Sequence, residues 1–131
     1  MQKEIKCNTI QELQEWVNNN FDLFNQKKII LLDGDLGAGK TTLVQLIGKK
    51  LGIKQKITSP SFSYMKTYDG LVHIDLYNYK GDLEEFEDYF EDNIVCIEWS
   101  NLKEINYANC IKIQASLLDN DFHHFEIKEI I

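Results

Sequence analysis

The sequence predicts an α/β fold in which helices flank a mixed central sheet and an antiparallel hairpin lies near the carboxyl terminus. Continuous apolar runs at residues 29–32 and 94–97 are typical of strands that are buried on both faces. Residues 9–24 carry apolar side chains at three- and four-residue spacing, which predicts a helix with one buried face. Residues 111–115 and 122–127 alternate between apolar and polar side chains, which predicts the hairpin.

The chain begins with a predicted edge strand and a capped helix. Residues 2–7 place Ile5 and Cys7 between charged side chains, a pattern that favours a short strand at the edge of a sheet. Glu12 follows Thr9 by three residues, which indicates a capping box at a helix start. The predicted buried face of this helix consists of Ile10, Leu13, Val17, Phe21 and Phe24, with Trp16 beside it.

A glycine-rich loop follows the strand at 29–32. Gly34, Gly39, Lys40 and Thr41 match the pattern G-x-x-x-x-G-K-[ST], and apolar residues at helical spacing come directly after it. Glycines let successive backbone N–H groups converge on a polyphosphate, and the dipole of the following helix favours the same anion. The fold is therefore expected to be P-loop NTPase-like. The predicted phosphate cradle consists of Gly34, Asp35, Leu36, Gly37, Ala38, Gly39, Lys40, Thr41 and Thr42.

Three side chains of this loop have expected roles. Lys40 is expected to reach the outer phosphates of a nucleotide, and the Thr41 hydroxyl is expected to help hold Mg²⁺. Thr42 offers a second hydroxyl to the inner phosphate. Gly52 is placed to end the helix.

The middle of the chain predicts a hairpin and a further helix. A Tyr-Asp-Gly turn signal at residues 68–70 precedes a mostly apolar strand at 71–77, so a hairpin is expected there. Residues 82–92 are acidic with apolar side chains on one side, which predicts a helix. A brief turn or helix is expected at 101–105.

Two carboxylates are candidates to complete a catalytic site with Lys40. Asp75 lies within the apolar segment VHIDLY, and Glu98 follows the apolar run IVCI. Burying an unpaired carboxylate is costly, so each needs a cation, a donor or water. Functional acids gather at the strand ends near a phosphate loop, where phosphoryl transfer needs both a metal and an oriented attacking group. The spacing leaves open which acid serves the metal.

Composition limits the class of function. The formal net charge of −7 argues against independent binding to a nucleic-acid backbone. All 14 basic residues are lysines, so the chain has no arginine to offer to a phosphoryl-transfer transition state. The 131 residues are expected to form a single domain. No apolar run approaches the roughly 18 residues that span a bilayer, and no signal pattern opens the sequence, so a cytoplasmic protein without membrane contact is expected.

The cysteines and histidines predict neither a disulfide frame nor a metal cluster. Cys7, Cys96 and Cys110 are odd in number and widely spaced, which favours buried free thiols. His123 and His124 are neighbours in a predicted strand, so they point to opposite faces and are not expected to share a metal ion.

Four motifs occur in order along the chain. They are GDLGAGKTT at residues 34–42, TSPSF at 58–62, HIDLY at 73–77 and IEW at 97–99. In this combination, with a short helix before them, the chain resembles the TsaE family over nearly its whole length. Members of that family are small bacterial ATPases that assist the biosynthesis of threonylcarbamoyladenosine in tRNA.

The resemblance implies a role for each motif. Lys40 and Thr41 would bind the phosphates of ATP and Mg²⁺, and Glu98 would be the metal-associated acid at a strand end. Asp75 would be the catalytic or water-orienting acid. Residues 58–62 would form a switch-like segment near the nucleotide, and Trp99 would support the site.

The resemblance also implies partners. The two related proteins that make the transfer enzyme would form a complex with this chain, and ATP turnover would reset that complex while a partner performs threonylcarbamoyl transfer. Contact with tRNA would come only through the complex. Three positions depart from the family pattern: Ser61 stands where threonine is usual, Asn78 where arginine is common, and Ser100 where proline is common.

Two other functions also fit the phosphate loop. A small-molecule kinase would use the same cradle, although such enzymes commonly surround the transferred group with several basic side chains. A binding module would respond to the nucleotide without hydrolysing it. Transfer of labelled γ-phosphate to a metabolite would indicate the kinase. If Asp75→Ala hydrolysed ATP as the wild type does but no longer bound its partner, the binding module would be indicated. The resemblance favours ATP, and no N-K-x-D guanine-selecting motif occurs.

Overall fold

The structure is a computed structural model that describes residues 3–60 and 62–130. Seven strands are present in this part of the chain: β1 (Glu4–Cys7), β2 (Ile29–Asp33), β3 (Met65–Tyr68), β4 (Leu71–Asp75), β5 (Ile94–Glu98), β6 (Cys110–Leu117) and β7 (His123–Ile130). The α-helices are α1 (Ile10–Lys27) and α2 (Lys40–Lys50), and 3₁₀ segments occupy Leu83–Tyr89, Ser100–Leu102 and Asp119–Asp121.

The strands form one mixed sheet in the order β1-β7-β6-β2-β5-β4-β3. β2 lies near the middle and runs parallel to β5 and β6, and β4 runs parallel to β5. The remaining pairs, β1 with β7, β6 with β7 and β3 with β4, are antiparallel. The predicted mixed sheet and its carboxyl-terminal hairpin are therefore confirmed. Because β2, β4 and β5 are parallel, the residues that follow them meet at one edge of the sheet.

The two faces of the sheet are covered differently. Both α-helices pack on one face, where side chains such as Val17, Phe24 and Leu43 join Leu32 and Cys96 in a single buried cluster. The opposite face is covered by the segment Leu83–Tyr89 and by loops that supply Phe90 and Tyr107. A residue of β4 or β5 that points toward the helices therefore also points toward the start of α2.

The first helix is confirmed and runs further than predicted. The Thr9 hydroxyl accepts the backbone N–H of Glu12 at 3.2 Å, so the predicted N-cap is present. The Glu12 carboxylate accepts the N–H of Asn8 at 3.3 Å, one residue before the N-cap residue that the predicted capping box would use. The helix continues to Lys27 and ends where Lys28 adopts φ 69. The predicted edge strand is present at Glu4–Cys7, while residue 2 lies outside the described residues.

Residues 82–92 differ from the predicted helix. Asp82 and Glu85 form a capping box, but the segment Leu83–Tyr89 is a 3₁₀ helix. Leu83 is its buried apolar residue, whereas Tyr89 is 51% exposed. Leu83 and Phe86, three residues apart, both pack on the sheet, a spacing that also fits the three residues per turn of a 3₁₀ helix. The strand predicted at 71–77 is also shorter, since β4 ends at Asp75.

Two further predictions concern the cysteines and the membrane. Cys7, Cys96 and Cys110 are buried free thiols, as expected. Within residues 3–60 and 62–130, no helix is both long enough and apolar enough to cross a bilayer.

Candidate functional site

The loop of residues 34–39 joins the end of β2 to the start of α2. Gly39 is the N-cap residue of α2 with φ 111, and in the described structure no side chain caps this helix. The backbone N–H groups of the first turn of α2 are therefore uncapped and face the loop. The N-terminus of this helix of 11 residues is a suitable position for an anion.

Two glycines of the loop are required by their surroundings. Gly34 has φ +149, and a Cβ there would lie 2.3 Å from the backbone oxygen of Ala115 in β6. Gly39 has φ +111, and a Cβ there would lie 3.0 Å from Cζ of Phe125 in β7. A Cβ at residue 34 would collide with the backbone of β6, whereas one at residue 39 would crowd the tip of the Phe125 ring and strain a backbone with positive φ.

Lys40 is buried, with 5% of its surface exposed, and its ammonium group lies within the loop. Nζ donates to the carbonyl oxygens of Gly34 at 2.5 Å and Asp35 at 3.0 Å. It also lies 4.2 Å from the centroid of the Trp99 ring, a favourable cation–π distance. The Lys40 ammonium group, which the sequence predicts to reach phosphate, is therefore held beside the loop by two backbone carbonyls and the indole of Trp99.

The structure brings Thr41 and Glu98 together, the two residues that the family resemblance implies for the metal. Thr41 Oγ1 lies 3.1 Å from Oε1 and 3.0 Å from Oε2 of Glu98. Glu98 is 3% exposed at the end of β5, on the face that α2 covers. A hydroxyl and a carboxylate at the start of the helix form a set of hard oxygen donors of the kind that Mg²⁺ prefers.

His73 is the third member of this group and was not singled out by the sequence analysis. Its Nε2 lies 2.5 Å from Oε2 of Glu98, and the His73 side chain is completely buried. The sequence carried two signals for it. His73 is the first residue of the HIDLY motif, and it is a polar residue inside the apolar segment LVHID, two residues before Asp75 and hence on the same face. The Cys96 thiol is close by, and burial together with the Glu98 charge raises its pKa.

Asp75 lies beside Glu98 at the ends of neighbouring strands. The two residues are register partners in the β4–β5 pair. Asp75 Oδ1 accepts the backbone N–H of Tyr77 at 2.9 Å, and Oδ2 accepts the Ser59 hydroxyl at 3.3 Å. Asp75 is more exposed than Glu98 and contacts the TSPSF segment, in which Ser61 lies outside the described residues.

Asp33 is a second site-proximal residue that the sequence analysis missed. It is buried immediately before Gly34, and its Oδ1 accepts the Ser100 hydroxyl at 2.6 Å and the backbone N–H of Asn101 at 3.0 Å. Lys112 Nζ lies 3.2 Å from Oδ2. Ser100, which departs from the family pattern, thus donates a hydrogen bond that proline has no group to make. This bond ties the phosphate loop to the segment after Glu98.

A cavity opens beside the loop on the α1 side. Its volume is about 170 Å³. The lining residues are Cys7, Asn8, Thr9, Ile10, Leu13, Gly39, Thr42, Asp121, His123 and Phe125. His123 Nδ1 lies 2.9 Å from the carbonyl oxygen of Ala38, which connects β7 to the loop. The cavity is therefore continuous with the end of the cradle at Gly39 and Thr42.

Large apolar side chains are exposed around the same edge of the sheet. Leu36 in the loop is 89% exposed, and Phe62 in the TSPSF segment is 97% exposed. Tyr77 follows Asp75 and packs on Trp99 with ring centroids 5.2 Å apart. Apolar groups at the rim of a polar site are typical of surfaces that meet another macromolecule.

Comparisons with known proteins show which family this sequence resembles. The family model described as "Threonylcarbamoyl adenosine biosynthesis protein TsaE" matches residues 7–124. A Nostoc protein called "tRNA threonylcarbamoyladenosine biosynthesis protein TsaE" is 39% identical over 111 residues, which are 76% of this chain and 68% of that protein. A Streptomyces coelicolor protein of the same name is 38% identical over 86 residues, 57% of this chain and 58% of that protein. The match thus spans less than two thirds of the Streptomyces protein.

Solved structures support the fold. The crystal structure of YdiB from Bacillus subtilis superposes with a TM-score of 0.71 at 22% sequence identity, covering 98% of this chain and 85% of that one.

A Treponema pallidum relative, also named as a TsaE protein, is 34% identical in sequence over 122 residues, 80% of this chain and 87% of that protein. Since the family model matches far more than half of the sequence and the four motifs converge at one edge of the sheet, this chain belongs to the TsaE family.

Proposed function

We propose that this chain binds and hydrolyses Mg-ATP at the loop of residues 34–42, in support of threonylcarbamoyladenosine biosynthesis in tRNA. The observation that carries the proposal is the contact between Thr41 and Glu98 at the start of α2, with the Lys40 ammonium group held in the adjoining loop. A cation, a row of helix N–H groups, a hydroxyl and a carboxylate converge at one place, and this is what a metal-bound polyphosphate requires.

The phosphates would lie against the loop and the first turn of α2. Backbone N–H groups there donate to phosphate oxygens, and Lys40 exchanges its bonds with the carbonyls of Gly34 and Asp35 for bonds with the outer phosphates. The exchange replaces two neutral carbonyl acceptors by negatively charged phosphate oxygens, which form stronger hydrogen bonds with the ammonium group. The Thr42 side chain, one residue further along the helix, is available to the inner phosphate.

The residues present fit Mg²⁺. Thr41 and Glu98 would hold it, and the described part of the chain contains no group of three or more His, Cys, Asp or Glu side chains that would bind a metal by themselves. Mg²⁺ usually keeps several waters and takes one or two protein ligands together with phosphate oxygens, so two protein oxygens suffice. When bound, the ion neutralises charge on the transferring phosphoryl group.

Asp75 would orient the attacking water. It lies next to Glu98 in the sheet register and is less buried. Its carboxylate is fixed by Tyr77 and Ser59, which leaves remaining lone pairs for water. The cavity on the α1 side would take the nucleoside end of ATP, because it begins at Gly39 and Thr42, where the cradle ends.

The partners of this chain would be the proteins that carry out threonylcarbamoyl transfer, and ATP turnover would reset their complex. Relatives from Nostoc and Streptomyces coelicolor are named for biosynthesis of this tRNA modification. The net charge of −7 disfavours direct binding to tRNA, so the RNA would be contacted through the partners. The exposed Leu36 and Phe62 provide apolar surface beside the site for such a partner.

The isolated chain is expected to hydrolyse ATP slowly, on the order of 10⁻³ per second, and faster with its partners, because its 14 basic residues include no arginine. An arginine supplied in trans is worth about 10³- to 10⁵-fold in comparable enzymes. Steady-state phosphate release measures both rates, and Lys40→Ala controls for contaminating ATPase. Turnover by the isolated chain at about 10 per second would contradict the proposal. Transfer of the γ-phosphate to a metabolite would indicate a kinase.

A further inference from the structure

His73 is a buried polar side chain that no step of the proposed hydrolysis uses. We propose that it is a positioning residue, which holds the Glu98 carboxylate in the orientation that serves Mg²⁺. This inference rests on the proposed Mg-ATP site. The imidazole of His73 in β4 hydrogen-bonds to Oε2 of Glu98 in β5 and so holds the carboxylate where both of its oxygens lie within hydrogen-bond distance of the Thr41 hydroxyl.

The sheet register brings the two side chains together. His73 pairs with Cys96 and Asp75 pairs with Glu98 across β4 and β5, so His73 and Glu98 are diagonal neighbours on the face that α2 covers. The Nε2 to Oε2 distance is 2.5 Å. Both side chains are almost fully excluded from solvent. A hydrogen bond between a carboxylate and a donor is strongest in such surroundings.

The two nitrogens of the imidazole ring are used unequally. Nδ1 is buried and has no hydrogen-bond partner among residues 3–60 and 62–130. A buried polar atom without a hydrogen-bond partner is unfavourable. If His73 only filled space, an apolar side chain at this position would therefore give a more stable fold. The contact that compensates for this burial is the one from Nε2 to Glu98. The geometry therefore assigns the proton to Nε2, which donates to Oε2.

The Glu98 carboxylate has two neighbours. Oε2 lies within hydrogen-bond distance of both His73 Nε2 and the Thr41 hydroxyl, and Oε1 lies 3.1 Å from the same hydroxyl. Without the imidazole the carboxylate would lose a donor in a buried environment and would be held only by the Thr41 hydroxyl. Partners of this kind, which hydrogen-bond to a metal ligand, typically change metal affinity by about 10- to 100-fold when removed.

The test measures how tightly Mg²⁺ binds to the chain carrying a fluorescent ADP analogue. His73→Phe keeps a planar ring without a donor, and we expect it to weaken the apparent Mg²⁺ affinity by about 10- to 100-fold while binding of the analogue in EDTA is unchanged. His73→Gln places an amide N–H where Nε2 lies and should restore affinity. His73→Asn places its amide where Nδ1 lies and should not.

Leu71→Ala is the matched control, because Leu71 is fully buried on the same face of the same strand. It should lower thermal stability and leave Mg²⁺ affinity unchanged. Wild-type Mg²⁺ affinity in His73→Phe, or equal affinities in the Gln and Asn variants, would overturn the positioning role alone. If the wild-type chain bound no nucleotide, the proposed function would fail and this inference with it.

A second measurement uses the unaltered protein and does not depend on how the variants fold. Nitrogen-15 NMR of the His73 ring reports which nitrogen carries a proton. A proton on Nε2 supports the assignment, whereas a bare Nε2 overturns it, since it would have no hydrogen to donate to Glu98.

Discussion

Replacing Lys40 by alanine is expected to lower the affinity for ATP by at least about 100-fold, because charge-assisted hydrogen bonds contribute roughly 1.5–3 kcal/mol each and two such bonds to phosphate are lost. Lys40 is the cation at the mouth of the cradle, and its ammonium lies within 3.0 Å of two loop carbonyls. Equilibrium binding of a fluorescent ATP analogue measures the effect.

Lys49→Ala is the control for this prediction. Lys49 lies in the same helix but is exposed near its end, so its removal changes the net charge equally without touching the loop. It should bind the nucleotide as the wild type does. Lys40→Met preserves the aliphatic stem over Trp99 and should behave like Lys40→Ala if charge is the cause. Undiminished binding in both Lys40 variants would rule out the cradle as the nucleotide site.

Replacing Glu98 by glutamine is expected to reduce ATP hydrolysis by about 10²- to 10³-fold, as for the loss of one preorganised electrostatic contact to the transition state. Glutamine keeps the shape and an acceptor for Thr41 but removes the negative charge. The concentration of Mg²⁺ needed for half-maximal hydrolysis should also rise. Glu104→Gln, the same change at an exposed position, should have no effect.

Asp75→Asn separates the two acids. Asp75 shares the sheet register with Glu98 but is bonded to Tyr77 and Ser59 rather than to Thr41. The substitution should lower the maximal rate and leave the Mg²⁺ requirement unchanged. The opposite pattern, with a raised Mg²⁺ requirement in Asp75→Asn and a normal one in Glu98→Gln, would exchange the roles of the two carboxylates.

The elements that carry strong local signals were predictable. The loop between Gly34 and Thr41 combines an obligatory residue pattern with a buried strand before it and a helix after it. The start of α1 was predictable because Thr9 is a local cap signal, whereas the helix continues to Lys27, three residues past the last apolar residue of the predicted face. The acidic segment from residue 82 is a 3₁₀ helix rather than an α-helix, because the three-residue spacing of Leu83 and Phe86, which both contact the sheet, is compatible with either helix type.

The contacts that complete the site were not predictable from local pattern. His73 reaches Glu98 across 25 positions, and Ser100 reaches Asp33 across 67. Both contacts depend on which strands are neighbours and on their register, and a shift of one residue would turn each side chain to the other face. The cavity likewise joins the α1 start, the loop and β7, which are distant in the sequence.

The most direct test of the account is threonylcarbamoyladenosine formation on tRNA by the partner proteins, measured with this chain as wild type, Lys40→Ala or Glu98→Gln. The same reactions are assayed for ATP hydrolysis, so that turnover and modification are compared in one mixture. Sustained modification is expected with the wild type, and loss of modification is expected with either variant. Modification that proceeds equally well with all three chains would contradict the claim that ATP turnover at this loop supports the pathway.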